Sequence, residues 1–205
     1  MASAARRGSA FDHAATGLSY LGFSMPVFWL GLLLQLGLVV YLREWFDVRL
    51  FYLQGKHSTG NEGDLLDLAR HMVLPVLTLS VGLAAAWSRY LRDSTVDALR
   101  SDFVRTARAK GASRRRVVWG HAWRASLVPF ATVVAIDAGA LVGGAVVTER
   151  IFGWPGMGTL FLRALSNDDY PVLLAWMAVT TVAVVLFNLV ADLLYGVLDP
   201  RVRYR

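Results

Sequence analysis

The sequence predicts an all-α, polytopic transmembrane helical bundle, and three observations predict it. Four segments have the length and apolarity of a membrane span, the charges are segregated between them, and aromatic residues gather near their ends. Of the 205 residues 56% are hydrophobic and 18% charged. Charge that falls between apolar runs is the pattern of a membrane protein rather than of a soluble core. A span needs about 20 predominantly apolar residues. The runs at 18–42 and 71–92 meet that need, the second bracketed by Arg70 and the Arg89–Arg92 stretch. So do 125–148, which carries only Asp137, and 171–198, which carries only Asp192.

Charge sets the expected orientation. The stretch from Arg89 to Arg124 holds ten Lys and Arg. Arg6 and Arg7 precede the first span, and Arg201, Arg203 and Arg205 follow the last. The six other basic residues, Arg43, Arg49, Lys56, Arg70, Arg150 and Arg163, share the opposite side with eight acids, among them Glu44, Asp64, Glu149 and Asp169. The positive-inside rule then places both termini and the basic stretch in the cytoplasm. Trp29, Tyr41, Trp45, Trp87, Tyr90 and Trp123 fit interfacial belts.

Taken in order, residues 1–16 are a polar lead-in. Their neighbouring apolar run is too long for a secretory signal, and no small-residue cleavage site follows it. The first span contains Ser24-Met-Pro26 and the second opens with His71-Met-Val-Leu-Pro75. A proline near a helix start costs little, since the lost N–H was unpaired. Between them, 43–69 is expected as an external loop, irregular around Gly55, Gly60 and Gly63, with Leu65–Arg70 as a helical lead-in. The cytoplasmic region 93–124 reads as two short helices. One runs over 94–109, capped by Ser94 or Thr95 with Asp97 in its first turn. Gly111 ends it as a glycine just past a helix terminus, and the second begins at Ser113. Pro129 falls early in the third span.

The third span is rich in small residues. Gly139 and Gly143 form a small-xxx-small pair that lets helices approach closely in lipid. That pair serves either general bundle packing or an interface with a partner subunit. Residues 149–169 return outside, with Phe152-Gly-Trp-Pro-Gly-Met-Gly158 as a compact turn, Thr159–Ser166 as a short helix and Asn167–Pro171 capping the last span. The chain reads as one membrane domain over 1–205, with no internal repeat.

Catalysis is not expected. The absence of cysteine removes disulfides and thiolate chemistry. No phosphate-binding loop, His-Glu-x-x-His or Gly-x-Ser-x-Gly is present, and the four histidines are scattered. No metal site is expected. Asp137 is an ionisable residue at mid-span, which is costly and usually faces a wet cavity or a bundle interior. It is therefore a candidate for a substrate path, with Asn188; a buried structural hydrogen bond is the alternative. Asn188 and Asp192 share a helical face, and Arg201 or Arg203 is placed to satisfy Asp192.

Seven motifs occur in series: Gly8-Ser-Ala-Phe-Asp12, Gly22–Trp29, His71-x-x-Leu-Pro75, Arg105–Pro129, Thr148–Gly158, Asp169-Tyr-Pro171 and Asp192–Arg201. Together they resemble the dipeptide/oligopeptide (DppB/OppB-like) permeases of binding-protein-dependent ABC importers. The resemblance implies a type I importer permease fold of six spans in the inner membrane of a prokaryote. It implies a homologous second permease, two cytoplasmic ATPases and an extracytoplasmic binding protein as partners, and no nucleic acid. ATP and Mg would be used by the ATPases, with no cofactor on this chain.

The superfamily's coupling motif, Glu-Ala-Ala-x-x-x-Gly, aligned on Gly111, falls on Arg105, Thr106 and Ala107. Its glutamate is absent, as in the peptide subfamily. The resemblance thus makes Arg105, Thr106, Ala107, Gly111, Arg115 and Pro129 the ATPase-coupling residues, with Ala107 and Gly111 as close-packing positions. It makes Glu149, Phe152, Pro155, Gly156 and Gly158 an external loop motif. Four of six spans are present, so the chain begins where the family's third span would begin. A misplaced start, a fragment and a short form are all compatible with that. Di- or oligopeptides are the expected cargo, with nickel or glutathione as alternatives. A membrane anchor whose basic loop binds acidic lipid or nucleic acid is a more remote one.

Overall fold

A computed structural model describes residues 8–198. The described residues are helical, without strands, and the helices α1 to α8 are joined by short breaks and one longer loop. Arg6, Arg7, Arg201, Arg203, Arg205 and the end of the Asp192–Arg201 motif lie outside the described residues.

Helix α1 spans Ala10–Ser24. Its start is capped locally: Ser9 Oγ accepts from the Asp12 amide at 3.2 Å, and Asp12 Oδ2 accepts from the Gly8 amide at 3.0 Å. The expected span at 18–42 is broken, because Pro26 disfavours helical geometry at Met25. A new helix, α2, runs Val27–Phe46, with a π-helical turn over Leu36–Tyr41. Asp47, at φ 50°, turns the chain out of it.

Helix α3 is 36 residues long, Leu65–Arg100, about 54 Å at 1.5 Å per residue. It begins six residues before the expected span and runs eight beyond it, so it outreaches the hydrocarbon core at its ends. Two expectations change as a result. Pro75 is interior to α3 rather than in its first turn. Ser94 and Thr95 are mid-helix, and Thr95 Oγ1 donates to the Leu91 carbonyl at 2.7 Å instead of capping. The separate helix expected at 94–109 starts only after Ser101, whose extended backbone breaks the run, and α4 is Asp102–Ala109.

Helix α5 runs Arg114–Val142, with a second π-helical turn at Val117–Ala122. The expected division between a short helix and a span beginning at 125 is absent, because nothing between Ser113 and Val142 interrupts the backbone. Pro129 is therefore interior as well. The span expected to reach 148 stops at Val142, where Gly143 and Gly144 (φ 102°) break the helix. Helices α6 (Val146–Ile151), α7 (Met157–Ser166) and α8 (Tyr170–Leu198) follow.

The chain forms two compact units. One gathers Ala84–Gly139 with the chain up to Leu21 and from Val182; the other joins Gly22–Leu83 to Ala140–Thr181. In the first, Asp12 is buried and takes a two-pronged ion pair from Arg92, with Nε to Oδ1 and Nη2 to Oδ2 both at 2.9 Å. The hydroxyls of Thr95 and Ser126 also meet at 3.2 Å, bringing α3 against α5. A Cβ on Gly139 would stand 2.9 Å from Val184 Cα, so this glycine seats α8 of the same chain.

In the second unit, Gln35 Nε2 donates to the carbonyls of Leu53 (2.7 Å) and Ile151 (3.4 Å), and Gly31 admits Ile151 and Phe152. These contacts draw the 47–64 loop and the end of α6 onto α2. The Gly55 amide donates to the Phe152 carbonyl, and Tyr52 stacks on His71 with centroids 4.1 Å apart. Gly143 packs against Thr180 and Trp176 of α8.

Candidate functional site

The coupling candidates lie on a turn that the backbone itself specifies. Helix α4 ends in a paired hydrogen-bond motif: the Gly111 amide donates to the Arg108 carbonyl at 2.9 Å, and the Ala112 amide to the Ala107 carbonyl at 3.1 Å. This places Gly111 at φ 81°, the left-handed region that glycine occupies without strain. Nothing stands within 4 Å of where a Cβ on Gly111 would be. Within the chain, then, glycine is required for conformation rather than for close packing. Ser113 next caps α5, accepting from the Arg116 amide at 3.4 Å.

The two helices are seated by a small apolar base. Val104, Val117, Val118 and Ala122 are buried. Around them Phe103, Thr106, Ala107, Lys110, Gly111, Ala112, Arg116 and His121 line an open groove of about 480 Å³. Thr106, Ala107 and Gly111 thus share one surface. Arg105 and Arg115 are exposed on the same segment, and the 3.7 Å Arg105–Asp102 pair is too exposed to hold it in place. Pro129 is distant in sequence, inside α5, and is not part of the groove. Phe103 and His121 are groove residues that motif spacing did not single out, because the π-helical turn rotates His121 relative to regular helical spacing.

The external motif is organised by Glu149. This residue is only 8% exposed, and its carboxylate accepts four hydrogen bonds. They come from the amides of Ala145 (3.1 Å), Gly158 (3.2 Å) and Thr159 (2.7 Å) and from Thr159 Oγ1 (3.0 Å). The donors lie on both sides of the turn, so one side chain staples the start of α6 to the start of α7. The glycines are there to let it in. A Cβ on Gly156 would lie 2.4 Å from Glu149 Cδ, and one on Gly158 2.7 Å from Val146 Cα. Phe152 is buried against Gly31, and Pro155 lines the adjoining hollow with Trp154, Arg150 and Arg163.

Asp137 is half-buried in α5 and accepts from Trp87 Nε1 of α3 at 2.6 Å. Trp87 in turn meets Phe130 edge-on, centroids 6.3 Å apart. Asn188 is half-buried on α8, with no hydrogen bond to Asp137 among the described residues. Trp87 was legible only as an interfacial aromatic, since its partner is 50 residues away.

Comparison with known proteins gives one family and consistent relatives. A family model described as binding-protein-dependent transport system inner membrane component matches residues 1–204. The chain is 38% identical over 218 residues to the dipeptide transport system permease protein DppB of Escherichia coli (strain K12), covering 99% of this chain and 64% of that protein. It is 40% identical to the di/tripeptide transport system permease protein DppB of Pseudomonas aeruginosa (strain UCBPP-PA14), with 99% and 64% covered. It is 39% identical to the oligopeptide transport system permease protein AppB of Bacillus subtilis (strain 168), with 98% and 62% covered. The chain therefore spans a little under two thirds of the length of these curated relatives.

Proposed function

The chain belongs to the family of binding-protein-dependent transport system inner membrane components, and on that premise we propose that it is the membrane-spanning permease of an ATP-driven importer of di- and oligopeptides. The relatives' peptide cargo supports the substrate class. The coupling role rests on one observation, the α4–Gly111–α5 turn with its groove. Two short helical segments fixed by buried valines and a hydrogen-bonded glycine turn form a stiff knob, and a stiff knob transmits force where a flexible tether would not.

In this reading the knob sits in a cleft of a cytoplasmic ATPase, one of two that hydrolyse ATP with Mg. Closure of the ATPase pair moves α4 and the first turns of α5 as levers. The spans, paired with a second permease, then exchange inward- and outward-open states. An extracytoplasmic binding protein delivers peptide to the side that carries the Glu149 staple. Both termini and the knob face the cytoplasm, in keeping with the positive-inside distribution. Ala107 and the groove floor receive the ATPase; Arg105 and Arg115 add charge complementarity.

Copurification with the cognate ATPase and second permease tests the coupling role. Wild type should retain the ATPase. Ala107→Glu should lose it by placing a charge in the groove, and Gly111→Pro by removing both the left-handed turn and its N–H. Gly111→Asn, which tolerates positive φ, should retain it. Equal retention by all four forms would remove the knob from the interface. Uptake of labelled di- and tripeptides by the assembled importer tests the cargo.

A further inference from the structure

Trp87 and Asp137 sit on the two helices that flank the coupling turn. Within their compact unit, α3 from Ala84 and α5 up to Gly139 are two arms, and α4 with Gly111 joins them. Thr95 and Ser126 meet between the arms near the turn, and Trp87 Nε1 donates to Asp137 Oδ2 farther along, about 20 Å from the end of α3.

An acid in an apolar span is retained at a cost, and such residues mark ion or substrate pathways unless a counter-charge neutralises them. Among the described residues Asp137 takes one hydrogen bond, from a neutral indole, and no ion pair. It is also not sealed off, being half-buried. A carboxylate has about four acceptor positions, and one N–H leaves most of them open. Phe130, packed edge-on against Trp87, steadies the indole that holds Oδ2. An oriented carboxylate without a counter-charge selects a donor cation; it repels carboxylates and gains little from an apolar group.

From this we propose that Asp137, oriented by Trp87, is a recognition site for an ammonium group of the transported peptide. The proposal rests on the importer reading for the nature of the cargo. The peptide's α-ammonium and a lysine side chain offer the same chemistry. Trp87 is a positioning residue: it does not touch the cargo but holds Oδ2, so that Oδ1 is presented. Because the pair bridges the arms of the coupling turn, any relative movement of the arms changes how the carboxylate is presented.

Modification of Asp137 by dicyclohexylcarbodiimide in the purified importer, read by mass spectrometry, tests this without requiring transport. Trialanine carries only the α-ammonium, N-acetyltrilysine only side-chain ammonium groups, and N-acetyltrialanine neither. At ten times its dissociation constant an ammonium peptide should slow modification about tenfold, and N-acetyltrialanine should not. Protection by one ammonium peptide alone assigns the source. In Trp87→Phe the protecting concentration should rise at least about tenfold, the weight of one hydrogen bond to a charged group. Equal protection by N-acetyltrialanine, or protection by none, overturns the site. Peptide uptake without protection removes the site and leaves the importer reading; protection without uptake does the reverse.

Discussion

Glu149 shows how one side chain stands in for a stretch of regular structure. Its two oxygens satisfy three amides and a hydroxyl that α6 and α7 leave open at their starts. Glu149→Gln keeps the shape but replaces one oxygen with an NH₂ that faces donors. A donor left unpaired in a buried place costs about 1–3 kcal/mol, and a loss of that size should appear as a lower midpoint in thermal unfolding of the detergent-purified protein. Gly156→Ala reaches the same end by another route, because its Cβ would overlap the Glu149 carboxyl group and push it off its donors. The two substitutions should therefore not add: the double variant should be little worse than Gly156→Ala alone, as for residues in one network. Full additivity would mean that the glycine serves something other than the carboxylate. Gly111 differs in kind. A Cβ there meets open space, so Gly111→Ala should cost only the left-handed backbone penalty, about 1–2 kcal/mol, while Gly111→Asn should cost less.

At the scale of elements, the start of α1 is held by a polar clamp. Asp12 closes the helix start through Gly8 and receives both prongs of Arg92 from α3. Arg92→Lys keeps the charge but loses the planar fork. Amide hydrogen exchange should then quicken across Ala10–Ser24 and stay unchanged in α7, which belongs to the other compact unit; unchanged exchange in α1 would show that the clamp does not hold it. Helix ends explain why some elements were legible and others were not. The all-α class and four apolar segments follow from hydropathy, and Gly111 as a helix stop follows from its lack of a Cβ, which opens the left-handed region. Sequence alone misplaces the caps, because Ser94, Thr95 and Ser101 are all cap-forming residues and only the fold shows that the first two lie inside α3. Pro75 and Pro129 pointed to helix starts, but long helices in a membrane absorb an interior proline when neighbouring groups take up the freed carbonyl. The π-helical turns at Leu36–Tyr41 and Val117–Ala122 leave no periodicity in an apolar run.

For the whole molecule, function depends on which side of the membrane each site faces. On the proposed reading the knob meets the cytoplasm and the Glu149 staple the outside. Asp137 was legible as a charge in an apolar run, and the knob as a dense basic stretch. Trp87, Arg92 and Gln35 were not, because their partners lie 50, 80 and 116 residues away in sequence, and only folding brings them together. The orientation itself rests on charge asymmetry alone, and the absence of cysteine makes it open to a direct test. Ser113 caps α5 beside the coupling turn and Ser166 ends α7; both are exposed. Single cysteines at these two positions should divide cleanly. A membrane-impermeant maleimide added to intact cells should label Ser166→Cys and spare Ser113→Cys until the membrane is opened. The reverse pattern would place the knob outside, away from any cytoplasmic ATPase, and the coupling role would fall with it. Labelling of both from outside would mean that α5 does not cross the membrane between the knob and the staple.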